Sequence, residues 1–303
     1  MIYLLLIFLL GVMTPIQTAA NSRLRQSVVS PFVASLVSFT VGTLYLSVAT
    51  LLQETPFAVG METFSRLPWW AWLGGVCGLY GLTVNIVIFP KLGSVQTALM
   101  PMLGQMGMGM LIDHFGWFRS TVYPLTMLRV AALAVILVGV CMVVARKGGE
   151  SGRRNLLPWQ LVGISGGMVF AMQPPMNSLL SAAFSSAISA AFISFLSATA
   201  VLFAIVLVRK ADRCHLPQVF STSRPWWTWL GGIIGGTFVT GFAFFASRVG
   251  IGLLLITSIC GLLTCSLVID KYGLLGADKK PVGAVQYIGL LCVMAGIIAL
   301  RLN

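Results

Sequence analysis

Charge is what this sequence has least of. Only 9% of its 303 residues are Asp, Glu, Lys or Arg, and just 7 are acidic, whereas a soluble domain carries about 25% charged residues. So few charges cannot cover a water-facing surface, which excludes an ordinary soluble globule. Histidine is almost missing too. The two present, His114 and His215, have no ligand-spaced Cys or carboxylate partners, so neither a metal site nor a cofactor is expected. Five of the six cysteines lie inside apolar runs, with Cys214 alone in a polar connection; they read as small apolar residues, not a disulfide framework. No G-x-x-x-x-G-K-[ST] loop occurs, so nothing points to ATP as a driving force. No nucleophile recurs with a base, which argues against an intramembrane enzyme.

What is abundant is hydrophobicity, at 58% of the chain with a mean hydropathy of +0.96. The apolar runs approach the ~20 residues that span a bilayer core. In lipid every backbone amide needs an internal partner, and these runs are too long and too continuous for barrel strands, so they are expected to be helices. Polar breaks place spans near 2–22, 31–52, 69–90, 93–112, 122–144, 159–180, 186–208, 226–247, 250–269 and 282–302. The expected fold class is therefore an all-α integral membrane protein of ten transmembrane helices. Its divisions are 1–149, a glycine-rich polar linker at 150–156, and 157–303.

The two divisions repeat one another. Gly11, Gln17, Asn21, Ser22 and Leu24 recur 156 residues later as Gly167, Gln173, Asn177, Ser178 and Leu180. After one added residue the offset becomes 157, matching Pro68-Trp69-Trp70-Ala71-Trp72-Leu73-Gly74-Gly75 to Pro225-Trp226-Trp227-Thr228-Trp229-Leu230-Gly231-Gly232, and Ile112-Asp113-His114-Phe115-Gly116 to Ile269-Asp270-Lys271-Tyr272-Gly273. Apolar composition alone does not generate such agreement, so this is an internal duplication. It also marks the first span as a retained helix rather than a signal peptide, since the same sequence serves in mid-chain.

Five spans per copy is an odd number, so a directly fused second copy enters the membrane from the opposite side, as an inverted repeat. With Met1 outside, the inner connections hold most of the 19 basic residues, against Arg66, Arg119, Arg129, Arg248 and Arg301 outside. The positive-inside rule then predicts both termini outside and the linker in the cytoplasm. The net charge of +12 is scattered through short connections without interleaved aromatics, so it reads as orientation signals facing lipid headgroups and not as a nucleic-acid surface.

These motifs resemble the YdcZ-like family of small bacterial inner-membrane proteins within the drug/metabolite transporter superfamily. The resemblance runs along essentially the whole chain, twice. It rests on Gly11, Pro15, Gln17 and Asn21, on Ser38-Phe39, and on Leu103-Gly104-Gln105 with the Asp113 motif, and again on Gln173, Asn177, Ser194-Phe195 and the Asp270 motif. The second copy departs at Leu262, which aligns with Gln105, and at Ala171, which aligns with Pro15 while Pro174-Pro175 follows a turn later. The resemblance implies an inner-membrane transporter or exporter with no stated substrate. The small multidrug resistance relatives use a glutamate in their first helix. Nothing here matches it, because Glu54 and Glu62 lie in a connection.

Gln17 and Asn21 sit four apart on one helix face, as do Gln173 and Asn177. An amide in hydrocarbon must be satisfied, either as glue to another helix or as part of a solute site. Pro15 and Pro174-Pro175 free carbonyls nearby, which suggests either a packed kink or a broken helix of the kind transporters use for binding. The fourth span adds Gln96, Pro101 and Gln105 among glycines and methionines, as a cavity lining or a packing face. Asp113 and Asp270 close the fourth span of each copy. They are expected to be hydrated or paired with a base, or to form a proton- or cation-linked gate; Arg129 is within reach of Asp113, while its counterpart Gln286 carries no charge. The tryptophan clusters read as interfacial anchors. The expected function is secondary transport of a small molecule by alternating access, with Gln17, Asn21, Gln173, Asn177, Gln96 and Gln105 lining the site; a passive pore and a membrane scaffold are the alternatives.

Overall fold

The computed structural model of the chain describes residues 2–53, 66–144, 156–221, 225–276 and 282–301. The side chains of residues 86, 89, 90, 93–98, 144, 220, 221, 276 and 301 are outside the description. The linker expected at 150–156 falls almost wholly on undescribed residues. The long helices are α1 (Ile2–Val28), α2 (Pro31–Leu52), α3 (Gly74–Phe115), α4 (Met127–Val144), α5 (Leu157–Ala183), α6 (Ala187–Val208), α7 (Leu230–Val249), α8 (Ile251–Tyr272) and α9 (Ala284–Arg301). No strand occurs among the described residues.

Helix ends repeat with the sequence. Ser30 caps α2 and Ser186 caps α6, each accepting from the backbone three residues on at 3.2 Å, the bond expected of an N-cap serine. Gly116 and Gly273 adopt left-handed φ of 64° and 66° after α3 and α8, a conformation glycine enters without the Cβ penalty. Even the strained turns are paired: Val29 and Ser185 have φ of 61° and 51°, and Phe118 and Leu275 have 59° and 57°.

The third and fourth expected spans follow one another as one helical run, Gly74–Phe115, and the chain reverses within it near the break placed between 90 and 93. A straight helix would separate Ile88 from Met100 by about 18 Å, yet both lie within van der Waals reach of the Gly163 α-carbon's open side, where a Cβ would stand 3.1 Å from Ile88 Cδ1 and 2.8 Å from Met100 Cβ. In the second copy the corresponding division is sharp, at Gly250 with φ 83° between α7 and α8. A correction concerns the prolines: α1 runs unbroken through Pro15, and α5 through Pro174 and Pro175, so neither first helix is interrupted. The tryptophan clusters form separate 3-10 turns at Trp69–Leu73 and Trp226–Trp229, exposing Trp69 and Trp226 and burying Ala71 and Thr228.

The chain divides into two compact units, each drawing on both copies. One comprises Met13–Val76 and Gln173–Ala246; the other comprises Met1–Val12, Cys77–Met172 and Ser247–Asn303. In the first, α2 pairs with its own copy α6. Phe39 meets Phe195 at 4.9 Å between ring centroids, and Thr43 bonds Thr199 at 3.0 Å. One end of the pair joins Ser30 to Asp212 and the other joins Ser186 to Gln53, so the helices are antiparallel. In the second unit α4 pairs with its copy α9: Gly139 and Gly289 each face the other's carbonyl, and Gly296 faces that of Ala132, again an antiparallel register. Helices paired with their own copies in opposite directions require a two-fold axis across the helix direction, as an inverted repeat does.

Glycine contacts away from the axis are reciprocal. In the second unit Gly11 lies on the Ser258 carbonyl and Gly167 on that of Pro101, while Gly104 lies on the Ile164 carbonyl and Gly261 on that of Phe8. At each of these a Cβ would collide with the oxygen, and the glycine instead directs a Cα–H at it. Such contacts recur where helices pack closely in membranes.

Candidate functional site

The four repeated amides fall in one unit, around the α2–α6 pair. In the second copy, Gln173 and Asn177 project from α5 and are 5% and 1% exposed. Gln173 Nε2 donates to Ser194 Oγ at 3.2 Å and Asn177 Nδ2 donates to the same oxygen at 3.3 Å. Ser194, itself 1% exposed, stands one residue before the axial Phe195. Asn177 Oδ1 is buried without a hydrogen-bond partner and rests on the Gly74 α-carbon, while Gly75 rests on the Ser194 carbonyl. The glycine pair after the first tryptophan cluster thus closes over the amides of the opposite copy.

The first copy builds the mirror arrangement less tightly. Asn21 Oδ1, also buried and unpartnered, rests on Gly231, and Gly232 on the Ser38 carbonyl. Gln17 Nε2 lies 2.6 Å from where a Gly235 Cβ would stand, next to the Phe195 ring. Gln17 and Asn21 remain half-exposed. Of the residues that share the Gln17 face at seven- and eleven-residue spacing, Leu10, Leu24 and Val28 are buried and Leu6 is exposed. The carboxamides themselves are directed at α7, where they meet Gly235 and Gly231.

Ser38 and Ser194 were visible as repeated residues, but nothing in their spacing assigned them to the amides. The glycine pairs were likewise hidden behind the tryptophans that precede them. Asp212 was not singled out at all. It is 6% exposed, accepts from Ser30 Oγ at 2.7 Å and pairs with Arg209 Nε at 2.7 Å.

The remaining expected site residues belong to the other unit. Asp113 corrects the expectation of a hydrated or base-paired boundary carboxylate. It is 3% exposed and accepts from the backbone N–H groups of Ile251 at 2.6 Å and Gly252 at 2.8 Å, so it caps the N-terminus of α8. Two orphan amides and the positive end of the helix dipole offset part of the cost of burying its charge. Arg129 acts on it as a favourable charge, while its guanidinium donates to the Tyr123 carbonyl at 3.0 Å and lies over the Tyr123 ring. Tyr123 N in turn donates to the Asp113 carbonyl, and Leu125 N to His114 Nδ1. Asp270, the counterpart of Asp113, is half-buried. Gln105 is half-buried on α3, and the side chain of Gln96 lies outside the described residues. No metal-binding cluster of His, Cys, Asp or Glu occurs among the described residues.

Five of the helices are long and apolar enough to cross a membrane, with shorter apolar helices beside them. The family described as "Putative inner membrane exporter, YdcZ" matches residues 2–142 and again residues 158–299. Among curated proteins none matches the chain. A solved crystal structure, described only as that of a protein, is similar at TM-score 0.71 and 16% identity, covering 99% of this chain and 96% of that one. At that identity the likeness concerns the fold alone.

Proposed function

We propose, from the premise that this chain belongs to the YdcZ family of inner-membrane exporters, that it moves a small molecule by alternating access through a site built on Gln17, Asn21, Gln173 and Asn177. The family is one of transporters and not of enzymes, and the chain is a multi-pass inner-membrane protein. The observation that carries the site is the half-exposure of Gln17 and Asn21 although their carboxamides are directed at Gly235 and Gly231 of α7. Amides used only to bind helices together would have every polar atom partnered, whereas Asn21 Oδ1 and Asn177 Oδ1 have no hydrogen-bond partner. An alternating-access site leaves polar groups open on one side at a time.

The test is a proteoliposome transport screen under imposed proton and sodium gradients, followed by Gln17→Leu and Asn21→Leu in the same assay. Both variants should reach the membrane folded and lose transport. Wild-type rates in both would end the proposal. In this reading the Asp113 cap on α8 is a gate, with Asp270 its looser counterpart and Arg129 its supporting charge. Both termini lie outside the cytoplasm, an orientation supported by the distribution of basic residues; reporter fusions at Asn303 and near Gly149 should report opposite sides.

A further inference from the structure

The chemistry around the four amides limits what they can hold. Resting on the site proposed above, we infer that the transported solute is uncharged, with hydrogen-bonding groups and a flat apolar part. Three observations lead there. First, the groups that meet the amides are uncharged: the Ser194 hydroxyl, the Phe195 ring and the backbone of the glycines at 74, 231 and 235. The described charged residues of this unit are at helix ends and turns, and Asp212 is occupied by Ser30 and Arg209. The bases of α1 are Arg23, two residues beyond Asn21 and donating to Gln26 Oε1 at 3.1 Å, and Arg25 in the last turn of the helix; both are exposed.

Second, no helix end is directed at the amides from α1 or α5. Transporters that bind charged groups between helices use interrupted segments whose termini supply partial charge. Here both first helices continue through their prolines, so neither supplies such a terminus; the helices that begin at the amides, α3 at Gly74 and α7 at Leu230, each follow a 3-10 turn without a break. Third, moving an ion into a low-dielectric interior costs several kcal/mol unless a counter-charge or a set of aligned donors meets it. Amides and serines offer both donors and acceptors in fixed directions, which suits a neutral solute with both. In the tilted Phe39–Phe195 pair, Phe195 is buried beside the Gln17 amide while Phe39 is half-buried, so the Phe39 ring is the one that offers a face to a planar apolar group.

The experiment uses the purified full chain in detergent and matched probes that differ in charge but little in shape: benzamide, benzamidine and benzoate; nicotinamide, 1-methylnicotinamide and nicotinate; uridine and uridine monophosphate. The reading is the saturable rise in thermal unfolding midpoint. Uncharged members should half-saturate at concentrations at least five-fold lower than their charged partners, and Arg25→Gln should leave that order unchanged. A charged member binding more tightly than its neutral partner overturns the inference, as does the absence of a saturable shift from every uncharged probe. Gln17→Leu separates the two claims. If it abolishes the neutral probe's shift, site and class stand together; if the shift persists with the same charge preference, the amide site falls while the class of solute survives.

Discussion

Gln17 and Asn21 in the first copy, and Gln173 and Asn177 in the second, have the same identities and spacing, and the two asparagines rest on corresponding glycines, yet the pairs live in different surroundings. The second pair is sealed and shares one serine hydroxyl. The first is half-exposed, its carboxamides resting on glycine α-carbons. The carboxylates differ in the same way: Asp113 is sealed as a helix cap, whereas Asp270 is half-buried. Duplication therefore preserved the chemistry while the packing assigned each copy a different task. A two-fold that was perfect in all respects would open both amide pairs or neither. The asymmetry is what the proposed alternating-access site would show when open to one side.

The largest expected difference between the copies comes from the serines. Ser194→Ala strands two buried amide nitrogens at about 1–3 kcal/mol each, so the purified protein should lose on the order of 2 kcal/mol or more in a detergent unfolding titration. Ser38→Ala should lose less than about 0.5 kcal/mol; equal losses would erase the distinction drawn here. The glycines come next. Gly74→Ala drives a methyl into the fixed Asn177 carboxamide and should cost about 1–3 kcal/mol. Gly231→Ala meets Asn21, which has room to swing aside, so its cost should be under about 1 kcal/mol. For the amides the order should invert when transport is measured: Gln17→Leu should lower the rate at least ten-fold with its unfolding midpoint unchanged, while Gln173→Leu should lower the midpoint as well. The smallest effect is at the turns. Val29→Gly should gain about 1 kcal/mol by relieving a β-branched residue at positive φ, and Ser185→Gly less.

Much of the fold was legible in the sequence because it is written twice. Offsets of 156 and 157 located the copies, the odd span count gave their inversion, and Ser30 and Ser186 stand where the second helix of each begins. The form of α3 was only partly legible: polar and proline signals at 90–93 mark the reversal, but not that the chain is helical right up to it on both sides. The prolines of α1 and α5 misled in the opposite sense, since neighbouring helices hold those segments helical despite the missing donors. At the site, the sequence shows which residues are costly to bury but not what meets them. That Gly74 and Gly75 face Asn177 and Ser194 depends on contacts more than a hundred residues apart, for which local pattern carries no signal.

The interleaving of the copies also sets a timetable for synthesis. Gly231, on which Asn21 rests, follows it by 210 residues, which takes about 10–40 s at ~5–20 residues per second. During that interval the first five helices stand in the bilayer with Gln17 and Asn21 lacking their native neighbours, and the N-terminal helix waits longest for the surface that closes over it. The newborn first copy is thus a half-finished object whose polar face invites a wrong partner, a second nascent chain included. Slowing translation across the linker should raise mispaired dimers before it lowers the amount of protein inserted.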